Sequence, residues 1–430
     1  MRSFYNFIYK NLIWIYLCAV ACLAYTTMMN SIPAHVYVEK GETLSLSRKI
    51  PVELSVCDRQ TQTMADVGMN TYEGVKARLS AEDISDLSLG THSMMCYLFG
   101  VFPIKEVEVS VVENTNVYAS GHVVGIYGKT KGVFVLGSSP VELADGSYVQ
   151  PAEHIIFPGD YIVAVNEKPT TSKEALMDAI KKNGADPIVL SVHRGEEVIQ
   201  VSAQAVPAKA SDSENLTYML GLWVKDDMAG IGTVTYLDVQ GEFGALGHGI
   251  GDGETGELLK MSEGYLYEAN VLGVKKGRRG DPGELQGIVY YGKKNQLGIL
   301  SSNTDIGIYG KLNDDYTKEV TGENTLYQLA YKQDVKLGDA FILSDASGEL
   351  ATYHIMIDSF DYSPTDRNKG IRFHVDDKNL LGLTGGIVQG LSGSPILQDG
   401  KLIGGVTHVL INDPTKGYGI FAETMLSNEK

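Results

Sequence analysis

The sequence predicts a mainly β protein of several folded units behind an apolar N-terminal segment, with one α+β unit in the middle. Forty-eight glycines against 13 prolines punctuate short runs of Val, Ile, Tyr and Thr, the pattern of strands joined by turns. A chain of 430 residues is too long for a single hydrophobic core. Beyond the N-terminal segment, helical spacing of apolar residues is clear only around Lys173–Lys181, where Ala175, Leu176, Ala179 and Ile180 share a face.

In chain order, the first element is the stretch Leu12–Met29, almost wholly apolar, with no Asp, Glu, Lys or Arg between Lys10 and Glu39. Its length suits a bilayer crossing, and Arg2 and Lys10 before it place the N-terminus in the cytoplasm and the rest of the chain, from about Pro33, outside. A cleaved signal peptide is the alternative, with Ala19-Val20-Ala21 and Cys22-Leu23-Ala24 as weak cleavage sites. Residues 1–33 therefore read as a membrane anchor and 34–104 as a small β-rich region. Cys57 and Cys96 are the only cysteines in the exported part, where an oxidising compartment permits a disulfide; two buried thiols is the other reading.

Residues 105–207 form the α+β unit. Gly121-His122-Val123-Val124-Gly125 precedes the strand Gly132–Leu136, then come Pro158-Gly159-Asp160-Tyr161-Ile162-Val163-Ala164-Val165-Asn166, the helix, and two further strands at Ile188–Val192 and Val198–Val201. This order resembles a bacterial PDZ domain, in which a peptide adds as an extra strand and backbone amides of a glycine-flanked loop hold its carboxylate. The resemblance makes Gly121, His122, Val123, Val124 and Gly125 the candidate loop.

After a polar linker at 208–215, residues 216–430 alternate short strands and glycine-rich turns, as a β-barrel does. Here lies the sharpest chemical signal, Gly390-Leu391-Ser392-Gly393-Ser394-Pro395 before the Asp399-Gly400 hairpin. A serine hydroxyl needs a nearby base and a tight turn that aims two amides, its own and that of Gly390, at a developing oxyanion. Glycines at 390 and 393 permit that turn. The candidate base is His248 in Gly244-Ala245-Leu246-Gly247-His248-Gly249, with His408 as its competitor. A net charge of −17 leaves no basic field for nucleic acid, and no Cys-x-x-Cys or His-Glu-x-x-His spacing points to a metal or redox cofactor.

Taken in order, Gly230-Ile231-Gly232-Thr233, Gly244–His248, Asp281-Pro282-Gly283-Glu284, Thr384–Pro395 and Val406–Pro414 resemble the SpoIVB peptidases, serine peptidase family S55. The resemblance implies a chymotrypsin-like β-barrel with His248 as general base, Ser392 as nucleophile and an important aspartate upstream of the serine. Asp377 stands at the matching place, with Asp376 one register away and Asp252 and Asp305 as further candidates. It also implies a sporulation signalling protease, located between the forespore membranes, that cleaves a membrane-bound regulator of an intramembrane protease, and sometimes itself, to trigger processing of a late sigma factor. Self-association through the PDZ unit belongs to the same expectation. The competing reading is a non-catalytic, membrane-tethered peptide-binding scaffold.

Overall fold

A computed structural model describes residues 2–30, 32–40, 52–56, 88–99, 101–208, 217–323, 325–362 and 364–427. Helix α1 (Arg2–Asn30) opens the chain, and the side chains described over residues 12–27, Trp14 and Leu23 among them, are exposed. Among the described residues no helix is long and apolar enough to cross a membrane.

Strands β1 (His35–Glu39), β2 (Val52–Val56), β3 (Gly90–Leu98) and β4 (Phe102–Val112) form a sheet in the order β1-β4-β3-β2. Alternation puts Val36 and Val38 on one face with Met94, Cys96, Val107 and Val109, the small core of this unit. Cys96 is a free, buried thiol, pushed up to about 11 by burial, while Cys57 lies outside the described residues. The sheet docks on the C-terminal half: the Tyr37 ring stacks on Tyr331 at 5.1 Å, and Gln333 Nε2 donates to the Tyr37 carbonyl at 2.5 Å.

The next strands are β5 (Asn116–Ala119), β6 (Val123–Ser138), β7 (Val141–Glu142), β8 (Tyr148–Val149), β9 (Tyr161–Val165) and β10 (Lys168–Pro169). Helix α2 (Lys173–Asn183) comes after them, capped by the Ser172 hydroxyl, which accepts from Ala175 N. It buries Leu176 and Ile180 against β11 (Pro187–Arg194) and β12 (Glu197–Gln204), each side chain contributing ~1.5–3 kcal/mol. The expected boundary at 105–207 does not separate this unit from the C-terminal barrel. β6 is sixteen residues long, and its first half is built into that barrel while its second half packs in the core with α2.

Strands β13 (Val206–Ala208) and β14 (Thr217–Met219) pair across the linker. Then come β15 (Leu222–Leu237), β16 (Glu242–Ala245), β17 (Met261–Lys275), β18 (Glu284–Val289), β19 (Gln296–Thr304), β20 (Gly307–Leu312), helix α3 (Asp314–Glu323) and β21 (Leu326–Leu329). The chain finishes with β22 (Gly338–Ser344), β23 (Ala351–Phe360), β24 (Ile371–Val375), helix α4 (Lys378–Thr384), β25 (Pro395–Gln398), β26 (Lys401–Leu410), β27 (Asp413–Phe421) and helix α5 (Ala422–Leu426). Most strands from β5 onward close into one continuous barrel-like sheet. In its C-terminal half, a core of Tyr236, Ile306, Tyr309, Leu402, Ile420 and Met425 joins two that bear on the site. One gathers Val124, Ile126, Val234, Phe243, Leu246, Leu266 and Ile308 from β6, β15, β16, β17 and β20; the other gathers Ile342, Ile355, Phe373, Leu391, Ile396 and Phe421 from β22 to β27. The candidate base lies just after β16 on the first core, and the candidate nucleophile precedes β25 on the second.

Candidate active site

The turn carrying His248 is set by its backbone. Gly247 N donates to the Ala245 carbonyl at 2.8 Å across Leu246, which sits at φ +67°, a γ-turn of the rare positive-φ kind. Leu246 holds that conformation because its side chain is locked in the first core. Beyond the histidine, Asn303 clamps the loop: its Oδ1 accepts from Ile250 N at 2.8 Å and its Nδ2 lies 2.9 Å from the carbonyls of Ile250 and Leu259.

The nucleophile turn is gripped from the opposite core by Thr233. Its amide donates to the Ser392 carbonyl at 3.0 Å and its hydroxyl to the Gly390 carbonyl at 2.9 Å. Gly393, at φ +94°, is required because a Cβ there would stand 2.0 Å from the Thr233 carbonyl oxygen. Within the turn, the amides of Gln389, Leu391, Gly393 and Ser394 donate to the carbonyls of Gly283, Val388, Val406 and Leu391. Among the described residues no acceptor faces the amides of Gly390 and Ser392. Those are the two amides that the sequence assigns to an oxyanion.

His248 and Ser392 line the same cleft, about 480 Å³ in volume, with Ile126, Met228, Ile231, Leu246, Ile250, Ile387, Val409 and Ile411 supplying apolar walls. His248 Nδ1 lies 2.9 Å from the Gly249 carbonyl, so that nitrogen carries the proton and Nε2 is left as the basic lone pair. Burial holds the imidazole below its ordinary pKa, partly offset by the Gly249 hydrogen bond. The Ser392 hydroxyl donates to the Thr407 carbonyl at 2.9 Å. Thr407 is the unpaired residue of a bulge in β26, where pairing with β27 slips between Val406 and His408. His408 stands beside the base, ring centroids 5.3 Å apart, and burial together with His248 and Lys369 lowers it to about 4.

The other sequence candidates lie elsewhere. Asp377 is the N-cap of α4, its carboxylate accepting from the amides of Asn379, Leu380 and His354 at 2.8, 3.0 and 3.3 Å. Burial pushes this carboxyl up, but the three amides outweigh it and hold it below the usual range. Asp376 lies 2.5 Å from His354 Nδ1. Asp252 organises its own turn through the amides of Glu254 and Thr255 and pairs with Lys225, and Asp305 is 3.9 Å from Arg367. None of the four carboxylates lines the cleft.

The loop expectation for Gly121–Gly125 is corrected by the strand pairing. Gly121 N donates to the Val234 carbonyl and Val123 N to the Asp345 carboxylate, while Val124 and Gly125 are paired on both sides, with β15 and β17. His122 faces Asp345 at 3.4 Å. No amide row is left there for a peptide, and Gly125 is a glycine because a Cβ would stand 2.2 Å from the Val289 side chain. Sequence reasoning gave no role to Asn303 or the Gly249 carbonyl, nor to Thr233 and the Thr407 carbonyl, although both threonines fall within the motifs quoted for the resemblance. Each acts through contacts distant in sequence or through the backbone, so no local pattern announces its role. Among the described residues no group of three or more His, Cys, Asp or Glu side chains is placed to hold a metal ion.

A half-buried imidazole with a free Nε2, a serine on a glycine turn and two unengaged amides in one apolar cleft define a serine peptidase of β-barrel architecture. Residues 216–426, just under half of the chain, match the family described as SpoIVB peptidase S55, and this part of the protein is a SpoIVB-type S55 domain of a sporulation serine peptidase. None of the curated proteins compared with the chain matches it.

Proposed function

We propose that the protein is an endopeptidase in which Ser392 attacks a peptide carbonyl while His248 Nε2 takes its proton, the Gly249 carbonyl doing the orienting work that a carboxylate does in a Ser-His-Asp triad. To react, the Ser392 hydroxyl leaves the Thr407 carbonyl and turns to His248. The amides of Gly390 and Ser392 receive the oxyanion, His248 protonates the leaving amine, and water activated by the same imidazole releases the acyl group. The convergence of His248, Ser392 and two unengaged amides in one cleft carries this reading.

In this reading the apolar N-terminal segment holds the chain at a membrane, and the folded part is exported to the space between the forespore membranes. The substrate is a membrane-bound regulator of an intramembrane protease, whose cleavage licenses a late sigma factor; a second copy of the enzyme is an alternative substrate. The α+β unit is a PDZ-type module presenting a substrate tail, at an edge other than Gly121–Gly125. Base and nucleophile lie beside different cores, which supports the chymotrypsin-like comparison. A non-catalytic scaffold has no use for a nucleophile turn with free amides. The test is incubation of the full chain, unaltered and as Ser392→Ala, with mass spectrometry of its own fragments and of an added segment of a membrane regulator. Fragments from the unaltered protein alone are expected; identical fragments from both would refute the assignment of Ser392.

A further inference from the structure

The cleft and its rim differ in charge. Among the described residues no Asp, Glu, Lys or Arg lines the cleft. Its rim is the connection between β17 and β18, where Pro282 lines the cleft and Gly280 N donates to the carbonyl of cleft-lining Ile411 at 2.8 Å. The tip is rigidly built. Arg278 and Asp281 exchange backbone hydrogen bonds of 2.7 and 2.8 Å, and Gly277 N donates to the Thr384 carbonyl at the end of α4. Gly277 is also the close neighbour that makes Gly385 a glycine, since a Cβ at 385 would lie 2.6 Å from the Gly277 carbonyl oxygen.

This tip carries Lys275, Lys276, Arg278 and Arg279 in a protein of net charge −17. Of the local acids, Asp281 pairs with Lys275 at 3.1 Å and Asp413 with Lys416 at 2.9 Å, while Glu284, opposite Lys275, makes no ion pair among the described residues and leaves the tip with a net positive charge. The Lys276 ammonium is taken by the Gly382 carbonyl. Arg278 and Arg279 are exposed, and neither guanidinium forms an ion pair among the described residues. Two unpaired guanidiniums beside a low-dielectric cleft make a local positive field against the protein's overall sign.

We propose that Arg278 and Arg279 are specificity-determining residues, selecting substrates in which an apolar segment that fills the cleft is flanked by an acidic residue that reaches the β17–β18 tip. This rests on the peptidase reading above. Guanidiniums recognise carboxylates by paired hydrogen bonds, while the apolar walls accept aliphatic side chains.

The test uses the full chain carrying Ser392→Ala and two fluorescein-labelled dodecapeptides with one Val/Ile/Ala centre, flanked at both ends by Asp or by Lys. Fluorescence anisotropy should show the Asp-flanked peptide binding about tenfold more tightly at low salt, with the preference fading at high salt. Adding Arg278→Gln and Arg279→Gln should remove the preference, and Glu at both positions should reverse it, with unchanged thermal unfolding as the folding control. Equal affinity for the two peptides, or no binding of either, overturns the inference. Cleavage by the unaltered chain is read separately. Cleavage of both peptides at equal kcat/KM overturns the rim inference alone. Charge-selective binding without any cleavage supports the rim and counts against the peptidase reading.

Discussion

His248 and His354 sit in opposite surroundings. His248 is half-buried in an apolar cleft, touches a backbone carbonyl and, among the described residues, has no carboxylate beside it; His354, also half-buried, stands between Asp376 at 2.5 Å and Asp339 at 3.2 Å. The histidine with acids on both sides is the one that does not line the cleft with the nucleophile. A His–Asp pair is therefore no marker of catalysis here, and the Asp376-Asp377 dipeptide serves the β23–β24 edge and the start of α4 instead. The site uses burial and a fixed carbonyl to set the tautomer, which costs no second buried charge.

That comparison is broken most severely by removing a reacting group. Ser392→Ala and His248→Ala should each lower kcat/KM by about 10⁴- to 10⁶-fold with folding intact by circular dichroism. Next is the turn: Gly393→Ala puts a Cβ against the Thr233 carbonyl at a positive φ, and should cost about 100-fold in kcat together with a lower Tm.

The pH profile sharpens the contrast without a mutation. Because burial lowers the pKa of His248, its base form persists below pH 6.5, and the acidic limb of kcat/KM should fall below that value. His354 shifts the other way, raised chiefly by Asp376. A raised folded pKa gives stability that is complete below the unfolded value near 6.5 and is lost as pH climbs through the folded value. His354→Gln should flatten that decline in Tm above pH 6.5 and leave the rate profile alone, with an effect below about 1 kcal/mol at this surface site.

Asp377→Ala falls between these in stability and near zero in chemistry. Losing an N-cap costs ~0.5–2 kcal/mol, so Tm should drop by a few degrees while the pH profile of kcat/KM keeps its shape. A triad aspartate in the same experiment would lose about 10⁴ in kcat.

The parts of the site legible in the sequence were those that need glycine. The tight turns around Ser392 and before His248 announce themselves through Gly390, Gly393 and Gly247, which lie at φ +99°, +94° and +70°. The same cue misleads at Gly121–Gly125. Gly125 answers to Val289 on a strand more than 160 residues away, as 289 − 125 shows, and a strand closing a barrel looks, locally, like a glycine-flanked loop. The mainly β composition was visible, but the division of β6 between two units was not, since pairing partners are chosen by long-range packing. Asp377 was misleading for a different reason: helix capping and imidazole orientation favour the same residue type.

The central claim is that Ser392 is activated by His248 without a carboxylate partner, and labelling by a fluorophosphonate tests it most directly. Intact-mass and peptide mapping should place one label on Ser392 in the unaltered chain and in Asp377→Ala at comparable rates, and none in His248→Ala. Loss of labelling in a folded Asp377→Ala protein, or a label on any other serine, would contradict the account.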